Sequence, residues 1–158
     1  MAILKGELMM GQKVFAGVFF GFISLGISTH AFAQADAIQK RQDAMKGNSA
    51  DAKAIKTAVE KKDYAAVELK AKDIMGTADK IVSLFPKGST EGKTKAKPEI
   101  WEKPDDFAKD AKNLSKAANE LAAAAKSGNE AEVNIKVKAL GEACNSCHKE
   151  FRAEKYSQ

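Results

Sequence analysis

The sequence has few of the residues that build sheets, disulfide frameworks and metal clusters. Its 158 residues include three prolines, two cysteines and two histidines, and 7% are aromatic. This scarcity, together with abundant Lys, Ala and Glu, favours α-helices over a β-sandwich or barrel. The sequence also contains no glycine-rich phosphate loop, strand alternation or internal repeat. A chain of this length has room for one domain with its own core, so we predict a single all-α domain.

The chain also lacks a run of residues that all carry the same sign of charge. The formal net charge is +5 and the pI is about 9.1, but the lysines are interspersed with Asp and Glu. Such interspersion is typical of a solvated surface, whereas nucleic-acid binding uses a concentrated basic face. We therefore expect a mixed-charge surface and no binding to nucleic acid.

The N-terminal part has the order of a secretory signal. Lys13 is followed by the apolar segment 14–27, which three glycines interrupt, and then by Ala31-Phe32-Ala33. A positive start, a short apolar run and an A-x-A ending predict cleavage after Ala33. The run is short for a membrane span of about 20 residues, although an uncleaved anchor stays an alternative. Translation could begin at Met1, Met9 or Met10.

We thus predict a signal peptide at residues 1–33 and a mature domain at 34–158, exported to the bacterial periplasm without stable membrane insertion. This mature domain holds one histidine, His148, and two methionines, Met45 and Met75. Both cysteines lie within four residues of the histidine. No second histidine is left to act as a general base, so we predict that the protein is not an enzyme.

Helix-start and helix-stop residues divide the mature domain. Asp63 is a good N-cap, Pro104 is suited to a first turn, and Gly128 to a helix end. Asn129 followed by Glu132 resembles a capping box. Together with apolar spacing, these signals predict helices at about 36–60, 64–85, 104–127 and 130–151.

Four amphipathic helices with mostly short connections predict an antiparallel four-helix bundle, with axes packed at about 20°. Gly47-Asn48-Ser49 predicts a bend or short break in the first helix, and residues 86–98 predict an exposed loop. The inward stripe of the third helix is the most regular: Phe107, Ala111, Leu114, Ala118, Leu121 and Ala125.

The segment Cys144-Asn145-Ser146-Cys147-His148 contains the residues that most directly indicate a cofactor. C-x-x-C-H is the attachment signature for c-type haem. On a helix these residues share one face, where the thiols can add to the haem vinyl groups and the imidazole can reach the iron. We predict one covalently attached haem c at Cys144 and Cys147, with His148 as an iron ligand.

Other uses of this segment fit less well. A thioredoxin-like C-x-x-C belongs beside a βαβ pattern, and a structural zinc site needs about four ligands. A disulfide between positions i and i+3 of a regular helix is geometrically awkward. A haem-free thiol oxidoreductase or metal-binding module stays as the alternative.

The motif at 144–148, Arg41-Gln42-Asp43-Ala44-Met45 and Pro98-Glu99-Ile100-Trp101 together resemble the class II cytochromes c, the cytochrome c' superfamily. The resemblance covers residues 36–155 and is greatest to the soluble low-spin members. It implies a four-helix bundle with haem on the last helix, and electron transfer with periplasmic redox partner proteins. Members of this superfamily often form homodimers through their first two helices, so the resemblance leaves a homodimer open.

The resemblance also implies roles for residues of the first helix. In the low-spin branch Met45 would be the sixth iron ligand; in the high-spin branch the sixth site is open and binds nitric oxide or carbon monoxide. Met45 could instead simply fill the core. Arg41, one turn earlier, would contact a haem propionate or else lie at the surface.

Overall fold

The computed structural model describes the backbone of residues 28–155 and the side chains from residue 34 onward. Most of the predicted signal segment lies outside these residues; the backbone of 28–33 forms the start of the first helix. The elements are α1 (Ser28–Glu60), α2 (Tyr64–Ala78), a 3₁₀ helix (Ile81–Leu84), α3 (Glu99–Glu102), α4 (Pro104–Ser127) and α5 (Glu130–Phe151). The four long helices and the lack of a regular strand in the described part confirm the predicted all-α four-helix bundle.

The long helices pack as successive pairs. α1 packs on α2, α2 on α4, and α4 on α5, whereas α1 and α5 form no comparable packed pair among the described residues. Every predicted inward residue of α4 is buried. The core is therefore continuous through three interfaces, and the first and last helices flank a seam, which we call the α1/α5 seam.

Local capping sets the helix boundaries. Asp63 Oδ1 accepts a hydrogen bond from the backbone N–H of Ala66 at 3.0 Å, and Asn129 Oδ1 accepts one from Glu132 at 3.2 Å. Gly128 ends α4 at φ 70°, a conformation that glycine adopts without strain. Pro104 occupies the first turn of α4. These four boundaries agree with the prediction.

The second helix is shorter than predicted. It ends at Ala78 rather than continuing to Phe85, and the chain tightens into the 3₁₀ helix. Near this end, the hydroxyl of Thr77 donates to the carbonyl of Asp73 at 3.2 Å, a local bond that competes with regular helix. Ile81 nevertheless stays buried, so the apolar stripe continues through the tighter turn.

The first helix also differs from the prediction. α1 begins at Ser28 rather than near Asp36 and runs without a break through Gly47-Asn48-Ser49. Packing on α2 offsets the low helix propensity of these three residues. Within the described residues, no helix combines the length and apolarity needed to cross a membrane.

Replacing Leu121 by alanine should destabilise the bundle strongly. Leu121 is 0% exposed in α4, and truncating such a residue removes apolar contacts and leaves a cavity. We expect a loss of about 2–5 kcal/mol in the free energy of unfolding, measured by urea denaturation. Leu69→Ala is the matched control, because Leu69 is 58% exposed and its truncation should change stability by less than about 0.5 kcal/mol. Equal losses in both variants would contradict the assigned core.

Candidate functional site

The Cys144-to-His148 motif lies in the last turns of α5. Cys144 and Cys147 are half-buried free thiols packed against the hydrophobic core, and His148 is exposed. The backbone N–H of Arg152 donates to the carbonyl of His148 at 3.1 Å and closes the helix. The helix places the three side chains at positions i, i+3 and i+4, as the motif requires.

Burial controls the protonation of this cluster. It raises the pKa of the Cys144 thiol and, with the nearby negative charge of Asp110, raises the pKa of Cys147 to about 12. The pKa of His148 is lowered, first by partial desolvation and then by the charge of Arg152. At neutral pH the cysteines are therefore thiols, and the imidazole is neutral, the form that ligates metals.

Met45 is half-buried on α1 and packs against the same core as both cysteines. Met75 also packs on this core, but it lies on α2, between α1 and α4. At about 100° per residue, Met45 shares the inward face of α1 with Arg41, Asn48 and Ala52. Of the two methionines, Met45 is therefore the one on a helix that flanks the α1/α5 seam.

Arg41 is buried, with 3% of its surface exposed, so its placement at the surface is excluded. Its Nη1 donates to Ser89 Oγ at 2.9 Å, and its Nη2 donates to the Ser89 carbonyl at 2.9 Å and to Thr94 Oγ1 at 2.8 Å. The guanidinium also lies over the rings of Phe85 and Trp101, 4.9 and 5.8 Å from their centroids. It is thus enclosed by neutral oxygen acceptors and two aromatic faces.

This enclosure leaves the charge of Arg41 uncompensated among the described residues. No carboxylate there forms an ion pair with it, its Nε–H is buried without a hydrogen-bond acceptor, and burial lowers its pKa. A buried cation and an unmet donor are both costly unless paired. One anionic oxygen acceptor would satisfy both. A haem propionate has this chemistry, so the residues present fit the predicted cofactor.

Residues 86–98, which we call the strap, connect the two sides of the site. Gln42 Nε2 of α1 donates to the carbonyl of Lys93 at 2.8 Å. Further along, the backbone N–H of Lys97 donates to the Phe151 carbonyl at 3.0 Å, and that of Ala153 donates to the Lys95 carbonyl at 2.8 Å. The strap therefore contacts α1 one turn before Met45 and the chain just after His148.

The prediction that residues 86–98 form an exposed loop was wrong in part, because Ser89 and Thr94 are buried against Arg41. These two residues were missed by sequence reasoning. Serine and threonine are ordinary loop residues, and their spacing carries no signal of the arginine that they bind. Two surface grooves lie away from the cysteines, one between α1 and α2 and one between α1 and the strap. Within the described residues, no three His, Cys, Asp or Glu side chains converge on a metal site.

Comparison with known proteins gives consistent matches. The family model described as Cytochrome C' matches residues 36–152. Cytochrome c' of Rhodospirillum rubrum is 40% identical over 85 residues, which cover 53% of this chain and 58% of that protein. Cytochrome c-556 of Agrobacterium fabrum is 34% identical over 147 residues, covering 91% and 97%.

The similarity extends to solved structures. Cytochrome c' from Thermochromatium tepidum is 30% identical, with a TM-score of 0.71 over 77% of this chain and 97% of that one. A second cytochrome c', described as having ligand-controlled dimer dissociation, matches with the same values. The matched family region includes Arg41, Met45, Cys144, Cys147 and His148.

Proposed function

The chain belongs to the cytochrome c' family, and on that premise we propose that it is a periplasmic electron-transfer protein with His148 and Met45 as the axial ligands of its haem iron. Membership confirms the predicted cofactor, one covalently attached haem c. The haem supplies the redox chemistry, because its iron alternates between the ferric and ferrous states.

In this proposal the residues of α5 attach and orient the cofactor. Cys144 and Cys147 would form the two thioether bonds, and because both pack against the core, they would hold the haem at the bundle. His148 binds the iron through its neutral imidazole. Its exposure places this side of the site near the surface, where a redox partner can approach. The mature domain offers no second histidine for acid–base work, so we propose no turnover of an organic substrate.

The single observation that supports Met45 as sixth ligand is its half-buried position on α1, packed on the same core as both cysteines. A thioether opposite an imidazole stabilises ferrous iron and raises the reduction potential. Arg41 completes the proposal: its Nε–H is buried without a partner and would donate to a haem propionate, whose negative charge the guanidinium would compensate.

A second candidate is a cytochrome c' that binds nitric oxide or carbon monoxide at an open sixth site. The name cytochrome c', shared by the Rhodospirillum rubrum relative and by both solved structures, favours this candidate. Met45 would then be a core residue, which its apolar packing also allows.

The visible spectrum of the holoprotein distinguishes the two candidates. The protein is matured in a host that attaches c-type haem, reduced with dithionite, and measured before and after addition of carbon monoxide. We expect a sharp low-spin spectrum that carbon monoxide leaves largely unchanged. A broad high-spin spectrum that carbon monoxide shifts would support gas binding instead, and a colourless protein would contradict both candidates.

We propose that the redox partner binds weakly through surface charge, because the lysines and acidic residues are mixed over the surface. Raising the salt concentration should therefore slow electron exchange.

We also propose a homodimer, since one related cytochrome c' is described as having ligand-controlled dimer dissociation. Sedimentation of the reduced protein with and without carbon monoxide tests the dimer and its response to ligand.

A further inference from the structure

The hydroxyl groups that hold Arg41 are themselves held in place. Ser89 Oγ accepts from Arg41 and donates to the Pro86 carbonyl at 2.8 Å. Thr94 Oγ1 accepts from Arg41 and also from the backbone N–H of Ala96 at 3.1 Å. Each hydroxyl group is therefore oriented by a hydrogen bond of its own as well as by Arg41. Supporting hydrogen bonds of this kind hold a functional side chain in position.

The aromatic side of the enclosure is equally constrained. Trp101 Nε1 donates to the carbonyls of Phe85 and Pro86, both at 3.1 Å. The indole ring is thus tied to the start of the strap while it covers one face of the guanidinium. The rings of Phe85 and Phe107 stack edge to face at 4.9 Å and extend this support into the core.

The strap is fitted closely to α1. Gly92 has φ 110°, and a Cβ atom there would lie 3.1 Å from Cδ1 of Ile38. Only glycine meets both the backbone conformation and this close approach without strain. Since the other end of the strap is bonded to Phe151 and Ala153, the position of the guanidinium is tied both to α1 and to the end of α5.

We propose that Ser89 and Thr94 are positioning residues that fix the charge of Arg41 at the haem site and thereby raise its reduction potential. A cation held near the iron favours the ferrous state, which carries one more negative charge, and this effect falls with distance. Allowing the guanidinium to move away should therefore lower the potential. The inference rests on the proposed haem site and redox role, and it does not depend on whether Met45 is a ligand.

Potentiometric titration of holoprotein variants tests the proposal. Thr94→Val removes one acceptor while keeping a similar shape, and we expect the ratio of ferrous to ferric haem at a fixed solution potential to fall about threefold. Combining Ser89→Ala with Thr94→Val should lower this ratio about tenfold, which corresponds to a reduction potential lower by about 59 mV for a one-electron couple. Thr94→Ser, which keeps the hydroxyl, should restore the wild-type potential. Thr90→Val is the matched control, because Thr90 is an exposed residue of the same strap.

Carbon monoxide titration of the wild-type protein tests the sixth ligand separately. A wrong assignment of Met45 can therefore be distinguished from a wrong assignment of Ser89 and Thr94 as positioning residues. The proposal is overturned if Thr94→Val keeps the wild-type potential, or if Thr90→Val lowers the potential as much as Thr94→Val does. If the double variant fails to mature, the comparison of Thr94→Val with Thr94→Ser carries the test alone.

Discussion

Replacing Cys144 and Cys147 together by serine should abolish covalent haem attachment. In the proposed site each thiol supplies one thioether bond. A serine hydroxyl cannot replace the thiol, so the polypeptide purified from the maturation host should carry no haem. On a denaturing gel stained for haem peroxidase activity, we expect a strong band for the wild-type protein and only background for the double variant. Near-complete loss of a cofactor is the largest effect predicted for any substitution in this chain.

The adjacent serine provides the control. Ser146 is exposed between the two cysteines, so Ser146→Ala changes the same helical turn without altering either thiol. This variant should stain like the wild-type protein. Haem that remains attached to the double serine variant after denaturation would show that other residues hold it, and the assignment of the motif would be wrong.

Replacing Met45 by leucine should open the sixth site of the reduced protein. Leucine has a similar volume and no thioether, so the core packing is kept while the proposed iron ligand is lost. A protein ligand at the sixth site competes with carbon monoxide. The apparent affinity for carbon monoxide is therefore the intrinsic affinity multiplied by the fraction of sites that are free. If Met45 is bound in 90–99% of molecules, the apparent affinity should rise about tenfold to hundredfold on substitution. Spectrophotometric titration of the dithionite-reduced holoprotein measures this change.

Met75→Leu is the matched control for this experiment. Met75 packs on the same core from α2, so its replacement makes an equal chemical change away from the α1/α5 seam. It should leave the carbon monoxide affinity unchanged. If Met45→Leu binds carbon monoxide no more tightly than the wild-type protein does, Met45 is a core residue and the gas-binding candidate replaces the electron carrier.

The features that the sequence predicted correctly depend on residues that are close together in the chain. The inward stripe of α4 and the caps at Asp63 and Asn129 involve spacings of three or four residues, and they form in the structure as predicted. The placement of Cys144, Cys147 and His148 on one helical face is equally local. Helical periodicity is sufficient to predict such arrangements.

The features that were missed depend on distant residues. Arg41 binds Ser89 and Thr94, which lie 48 and 53 residues further along the chain. No local pattern indicates such a pairing, so sequence reasoning could not decide whether Arg41 is buried. The early end of α2 was missed for a different reason, because the hydrogen bond from Thr77 to the Asp73 carbonyl near this end is local. Apolar spacing continues to Phe85, so the spacing alone does not show that regular helix stops at Ala78.

The weak direct packing between α1 and α5 has a consequence for the order of folding. The pairs α1/α2, α2/α4 and α4/α5 are neighbours along the chain and can each form as a helical hairpin with a small loss of loop entropy. Closing the α1/α5 seam joins the two ends of the domain, and in the part of the chain that the structure describes this closure runs through the strap. We expect closure to be the slow, last event, so that Cys144 and Cys147 stay accessible for haem attachment until the rest of the bundle has formed.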